Sequence, residues 1–319
     1  MRTITAADID RVLTYPALVE ALREAFRADL AAPVRHHHAI GNATLLLMPA
    51  WTQSAQGGEQ FLGCKIVTVF PDNGKLSQPA VLGSYVLMSG LTGEPLALID
   101  GTVLTRWRTA CASALAASYL ARDDAAHLVM VGAGALAPHL VRAHASVRPL
   151  KRVTLWNRTR GRAVQAAFAL AVGGIEVEVT DDLEAAVREA DIVSCATLSA
   201  TPLVRGKWLK KGAHLDLVGS FTPKMREADD DAVRRARVYV DTRAAAVKEA
   251  GDIVQPLKKG VLKKTGVRGD LFELCRGKAK GRTKPTEITL FKSVGTAIED
   301  LAAAMLVWRG IGRQPSSGP

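Results

Sequence analysis

The stretch "LVMVGAGALAPHL" (residues 128–140) decides the fold. An apolar run enters Gly132, Ala133 and Gly134, and Ala137 opens a segment of helical character. In this G-x-G-x-x-A pattern the first glycine permits a tight turn, the second lets the backbone approach a ligand, and the small third residue lets the helix pack closely on the strand. Such a turn aims the first free N–H groups of the helix, and the positive end of its dipole, at a pyrophosphate. The motif by itself is weak, and a plain strand-turn-helix with small residues for packing competes with it. It gains weight from its place after a strand and before a helix, with a second β-run, "RVTLWN", about twenty residues further on.

Downstream, "IEVEV", "DIVSCA", "HLDLVGS" and "RVYVD" continue the alternation of short β-runs with Ala-rich helical segments. Alternation of this kind predicts an α/β fold, a doubly wound parallel sheet of the Rossmann type. Candidate cofactor contacts are Gly132, Gly134, Ala135 and Leu136 in the first turn, Asn157, Arg158, Thr159 and Arg160 after the second strand, and Ala196, Thr197 and Gly219 after later ones. The second strand runs into "LWNRTRGRA" (155–163), which holds no acid. A carboxylate there would pair with ribose hydroxyls and repel a 2′-phosphate, whereas Arg158, Thr159 and Arg160 can give charge-assisted hydrogen bonds to one. NADP(H) is therefore the expected cofactor, and NAD(H) stays open if these arginines only solvate a loop.

Upstream of the glycine turn the chain reads differently. "TYPALVEALREAFRADLA" is an amphipathic helix with Thr14 as cap, Pro16 in the first turn and Leu18, Leu22, Phe26 and Leu30 on one face. "PVRHHHAIGNATLLLMPAW", "FLGCKIVTVFPDN" and "AVLGSYVLMSGLTGEPLALIDG" follow, apolar and β-branched stretches punctuated by turn residues, which predict strands joined by hairpins. His36, His37 and His38 invite a metal, but consecutive strand residues point to alternate faces, so no metal site is expected. At the other end, "SVGTAIEDLAAAMLVWRG" reads as a helix capped by Ser293 and stopped by Gly310, following no strand; its stripe is Ile298, Leu301, Met305 and Leu306. The tail "RQPSSGP" reads as disordered.

With 319 residues, 48% of them hydrophobic, the chain can bury one large core or two. Four cysteines without paired spacing suggest neither a disulfide framework nor a zinc site. No run is long enough to span a membrane and the N-terminus has acids where a secretory signal is apolar, so a cytoplasmic protein is expected. The net charge of +11 is densest in "LKKGVLKKTGVRGDLFELCRGKAKGRTK", which has no interleaved aromatic platform. No nucleic-acid partner is expected, and a solvated basic face is the simpler reading.

Four segments together resemble the ornithine cyclodeaminase/mu-crystallin family: "LTRWRTACASALAASYLA", "MVGAGALAPHL", "VTLWNRT" and "EITLFKSVGTAIEDLAAAMLV". The likeness runs across nearly the whole chain, in the family's order. It implies a Rossmann domain (117–292) inserted into a smaller α/β substrate-binding and dimerisation domain (1–116 with 293–319), and a homodimer formed through the smaller domain's sheet. It also implies that Arg35, Lys65 and Arg108 hold the carboxylate of a small imino or amino acid substrate. The chemistry is reasonable, since guanidinium groups grip carboxylates in parallel bonds and a lysine beside a C=N group can donate a proton.

The sequence departs from the cyclodeaminase pattern in two places. Phe221, with Thr222 beside it, stands where those enzymes carry an aspartate, and Leu46 stands where they carry a glutamate. Neither replacement can manage the proton traffic of ammonia loss. Asp229, Asp230 and Asp231 read as a helix cap and first turn. The expected site is then a nicotinamide, a cationic clamp and an apolar wall stripped of acids. It suits hydride transfer to a small cyclic imine acid, and within the family the chain resembles the branch that reduces Δ1-pyrroline-2-carboxylate to L-proline and Δ1-piperideine-2-carboxylate to L-pipecolate. Lys65, Arg108 and Thr222 are its catalytic candidates, and Arg35 and Phe221 its further substrate contacts. Ornithine cyclodeaminase, a non-catalytic NADPH-dependent ligand binder and alanine dehydrogenase are the alternatives.

Overall fold

A computed structural model of the protein describes residues 1–54, 58–76, 78–170 and 174–312. The tail expected to be disordered lies outside them. The chain forms two compact units, Met1–Arg108 with the chain from Thr296 onward, and Thr109–Gly295.

In the first unit the strands are β1 (Arg2–Ile4), β2 (Leu30–Ala31), β3 (His36–Ile40), β4 (Ala43–Thr52), β5 (Phe61–Val69), β6 (Val81–Ser89) and β7 (Pro95–Asp100). They make one sheet in the order β1-β7-β6-β5-β4-β2, with β3 also on β4. Only β1 and β7 pair in parallel; the others are antiparallel. The helix Tyr15–Arg27 begins as the sequence predicts, Thr14 Oγ1 accepting a 3.4 Å bond from the Ala17 N–H. It ends sooner than expected, and Leu30 opens β2 instead of extending the helix face.

The terminal helix, Ala297–Gly312, packs against that helix and across β4, β5 and β6. Its beginning differs from the expectation: Ser293 caps nothing, because Ile288–Lys292 is a buried strand and the helix starts four residues after Ser293, at Ala297. The five residues "ITLFK" are too short, and too mixed with Thr and Lys, to show a period of their own.

The second unit carries β8 (His127–Val131), β9 (Arg152–Trp156), β10 (Glu176–Val179), β11 (Ile192–Cys195), β12 (His214–Leu217), β13 (Ala236–Val240), β14 (Val267–Asp270) and β15 (Ile288–Lys292). All pair in parallel, in the order β10-β9-β8-β11-β12-β15-β13-β14. The four central strands β8, β11, β12 and β15 are buried at every position, as a sheet covered on both faces requires. Chain direction across the sheet reverses between β8 and β11. Doubly wound sheets bind ligands at that reversal, outside the carboxyl ends of the strands.

Candidate active site

Burial alternates along β5, and Lys65 falls on the covered face between Gly63 and Val67, only 1% exposed. An ammonium at an apolar position must be paired or pay a heavy desolvation cost. Its Nζ donates to Asp300 Oδ1 at 2.7 Å and to Thr105 Oγ1 at 3.2 Å. The Thr105 hydroxyl donates a hydrogen bond to the Gly101 carbonyl, 2.6 Å away, so its oxygen faces Lys65 as an acceptor. Arg108, three residues on along the helix Gly101–Leu120, donates from Nε to the same Asp300 oxygen at 2.9 Å and from Nη1 to Glu299 Oε2 at 2.6 Å. Arg35, half-buried just before β3, adds a charge felt at both Lys65 and Asp300.

Burial pulls Lys65 down to about 8, helped by the Arg108 charge and opposed by Asp300. Burial pushes Asp300 the other way, but Arg108 and Lys65 outweigh it and hold the carboxyl below the usual range. At neutral pH Lys65 therefore still carries its proton, and Asp300 is its counter-ion.

The acid-free pocket expected from the sequence is corrected here. Two fully buried carboxylates, Glu299 and Asp300, stand among the cations. They come from the terminal helix, read above only for its apolar stripe. The signal was present: adjacent acids inside "TAIEDLAAAML" cannot both face solvent on a helix that is apolar nearly all round, and they need cationic partners. Arg108, Lys65 and Arg35 all act on the Asp300 carboxylate. Tyr85, the cross-strand neighbour of Lys65, is also fully buried, and its hydroxyl has no hydrogen-bond partner among the described residues. Leu46 is buried on β4. His36, His37 and His38 lie on an exposed strand, and no metal-binding cluster gathers among the described residues.

In the second unit the glycine turn follows β8. Gly132 has φ +107°, and a Cβ there would meet the Ala196 carbonyl at 2.7 Å and Thr197 at 3.0 Å. Above Gly134 nothing lies within 4 Å, and Gly134 and Ala135 are exposed. Leu136 precedes the helix Ala137–Ala145, whose start carries no side-chain cap and has a proline in its first turn. Open backbone, a missing cap and a reversal point together fit a pyrophosphate.

Asn157 shapes this turn from beside it, accepting from the Ala133 N–H at 3.2 Å and donating to the Thr159 carbonyl at 2.9 Å. Arg158 and Thr159 are exposed, whereas Arg160 is ion-paired with Asp181. Gly219 and Thr197 touch, since a Cβ on Gly219 would collide with the Thr197 backbone. Phe221 and Thr222 are half-buried in the turn beyond, where the Thr222 carbonyl accepts from Met225 and Gly251. Asp229 caps the helix Asp230–Arg235, as its sequence suggests.

A reversal point with this glycine turn defines a dinucleotide-binding protein of the Rossmann class. The chain belongs to the ornithine cyclodeaminase/mu-crystallin family, whose sequence model matches residues 3–313. It is 42% identical over 313 residues to Protein SAR DEFICIENT 4 of Arabidopsis thaliana, covering 95% of each chain. It is 37% identical to the Delta(1)-pyrroline-2-carboxylate reductase of Colwellia psychrerythraea, covering 95% of this chain and 97% of the relative. The Thermococcus litoralis Delta(1)-pyrroline-2-carboxylate reductase, solved in complex with NADH and L-proline, superposes with a TM-score of 0.92 at 32% identity, 97% of each chain being covered.

Among the described residues no helix is long and apolar enough to cross a membrane.

Proposed function

We propose that the protein is an NADPH-dependent reductase of small cyclic imine acids, converting Δ1-pyrroline-2-carboxylate to L-proline and accepting the six-membered homologue. Its broader class is an NAD(P)H-dependent oxidoreductase acting on C=N bonds, which the reductases among its relatives support. The observation that carries the reading is Lys65, a fully buried ammonium of lowered pKa held between Arg108 and Asp300. The substrate carboxylate is drawn by Arg35 and by an Arg108 that Glu299 and Asp300 hold rigid. Lys65 gives a proton to the ring nitrogen, and Asp300 steadies the ammonium before transfer.

A bound reduced nicotinamide supplies the hydride for the ring carbon. Gly132, Gly134, Ala135 and Leu136 are proposed to hold its pyrophosphate, with Ala196, Thr197 and Gly219 lining the neighbouring turns. Arg158 and Thr159 would meet a 2′-phosphate. Arg160 contributes less, being committed to Asp181. Phe221 and Thr222 remain candidates for substrate contact. The test follows nucleotide absorbance with both ring sizes, NADPH beside NADH; no turnover with either imine would defeat the proposal.

One feature favours ornithine cyclodeaminase as a second reading: Asp300 Oδ2 is buried without a hydrogen-bond partner among the described residues. Ammonia release from L-ornithine without net nucleotide oxidation would select it.

A homodimer is proposed through the face of the first sheet opposite Lys65, where Trp51, Ile66 and Leu82 are each about 40% exposed on neighbouring strands. Light scattering that gives a monomer mass would exclude it.

A further inference from the structure

We propose that Glu227 is a positioning residue for nucleotide binding: its carboxylate clamps the turns after β11 and β12 together and, through them, fixes the glycine turn after β8. The proposal rests on the reading that the second unit binds a dinucleotide, and is independent of which substrate is reduced.

Glu227 is fully buried. Its Oε1 accepts from the Thr197 N–H at 2.7 Å and from the Thr197 hydroxyl at 2.8 Å, while Oε2 accepts from the Gly219 N–H at 2.8 Å. One side chain thus satisfies the donors of two separate turns. Thr197 and Ala196 in turn form the surface against which Gly132 lies, with no room for even a Cβ. The sequence conceals this role, because in "KMREADDD" Glu227 looks like one more acid ahead of a helix.

The clamp is built from below. Asp252, on the helix Gly251–Lys258, accepts the N–H groups of Glu227 and Ala228 at 2.9 and 3.0 Å through Oδ1. Lys292, at the end of β15, places its Nζ 3.8 Å from Asp252 Oδ2 and donates to the Leu217 carbonyl at 3.0 Å. Cys195 of β11 also lies close, but burial and then the Glu227 charge push its thiol well up, so it stays uncharged. Glu227 and Asp252 are both fully buried with one buried ammonium, Lys292, beside them, and this disfavours charge on Glu227. Burial pushes Glu227 up to about 7; Lys292 opposes the rise and Asp252 adds to it. Three donors point at its oxygens, and a proton on either oxygen displaces one of them. The clamp is complete in the carboxylate form and loosens as pH falls through that value.

The test is binding of NADPH and NADH to the full-length protein without imine, followed by nucleotide fluorescence from about pH 6 to about 8.5. Wild type should bind more tightly as pH rises through neutrality. Glu227→Gln should bind about tenfold more weakly at the alkaline end and lose the inflection, since its amide nitrogen cannot accept and does not titrate. If that variant does not fold, Thr197→Val removes the hydroxyl donor, together with a long 3.4 Å bond from the Ser199 N–H, and should weaken binding about threefold. Binding by Glu227→Gln within twofold of wild type, or an unchanged pH profile, overturns the proposal alone. For Thr197→Val, unaltered affinity does the same. Failure of the wild-type protein to bind either nucleotide overturns this proposal and the functional reading together.

Discussion

The two candidate sites are made of different material. In the first unit Lys65, Arg108, Glu299 and Asp300 do the work with buried charged side chains, each holding another in place. In the second unit the glycine turn works with backbone, and its side chains matter mainly by being absent or by bracing the turns from beneath. A cluster of paired charges fails when one member is removed, because its partner is left buried and unpaired. Backbone sites fail instead when something is added.

The severest way to break the first site is Arg108→Ala. It strips Glu299 and Asp300 of a shared cation and should cost about 3–5 kcal/mol of unfolding free energy. A denaturant titration checks this, and a loss below about 1 kcal/mol would show that the cluster does not depend on pairing. In whatever folded protein remains, KM for the imine acid should rise at least about tenfold.

Lys65→Met should lower turnover by about 10²–10⁴-fold while nucleotide affinity holds, which separates the two sites directly. The pH profile sharpens the point. Lys65 loses its proton near pH 8, so kcat/KM of the wild type should fall as pH rises through that value. Stability moves oppositely. The depressed folded pKa means the unfolded chain binds more protons between about 8 and the usual lysine range, so this group's contribution to stability improves as pH rises across that window. A rate that climbs steadily above pH 8 would remove Lys65 as the acid.

Gly132→Ala tests the second site by addition. The φ of +107° and the Ala196 carbonyl both oppose a side chain. Strain of about 1–3 kcal/mol should appear as nucleotide binding weakened by about tenfold or more. Titration of NADPH into the variant reads it, and unaltered affinity would mean that the turn does not approach the nucleotide.

The smallest effect is expected from Arg158→Glu, which lies on the surface. Folding stability should stay within about 0.5 kcal/mol, while the ratio of NADPH to NADH affinity falls about tenfold through repulsion of the 2′-phosphate. An unchanged ratio would assign the arginine to the solvated loop.

Much of this was legible in sequence. Six strands of the parallel sheet, the glycine turn and the capped helix Tyr15–Arg27 follow from local pattern: a covered strand reads as a short apolar run, and an N-cap needs only its own next turn. Two strands escaped, Val267–Asp270 within a basic stretch and Ile288–Lys292 ahead of the terminal helix.

The sequence by itself determined the α/β class and the place of the glycine turn and, through the family resemblance, singled out Lys65 and Arg108 as candidates. Only the tertiary structure decided what those cations face. Asp300 is 235 positions from Lys65 along the chain, and Glu299 is 191 from Arg108. No local periodicity records such pairings, because the need to neutralise a buried charge is met by whichever side chain the fold brings close, at any separation in sequence.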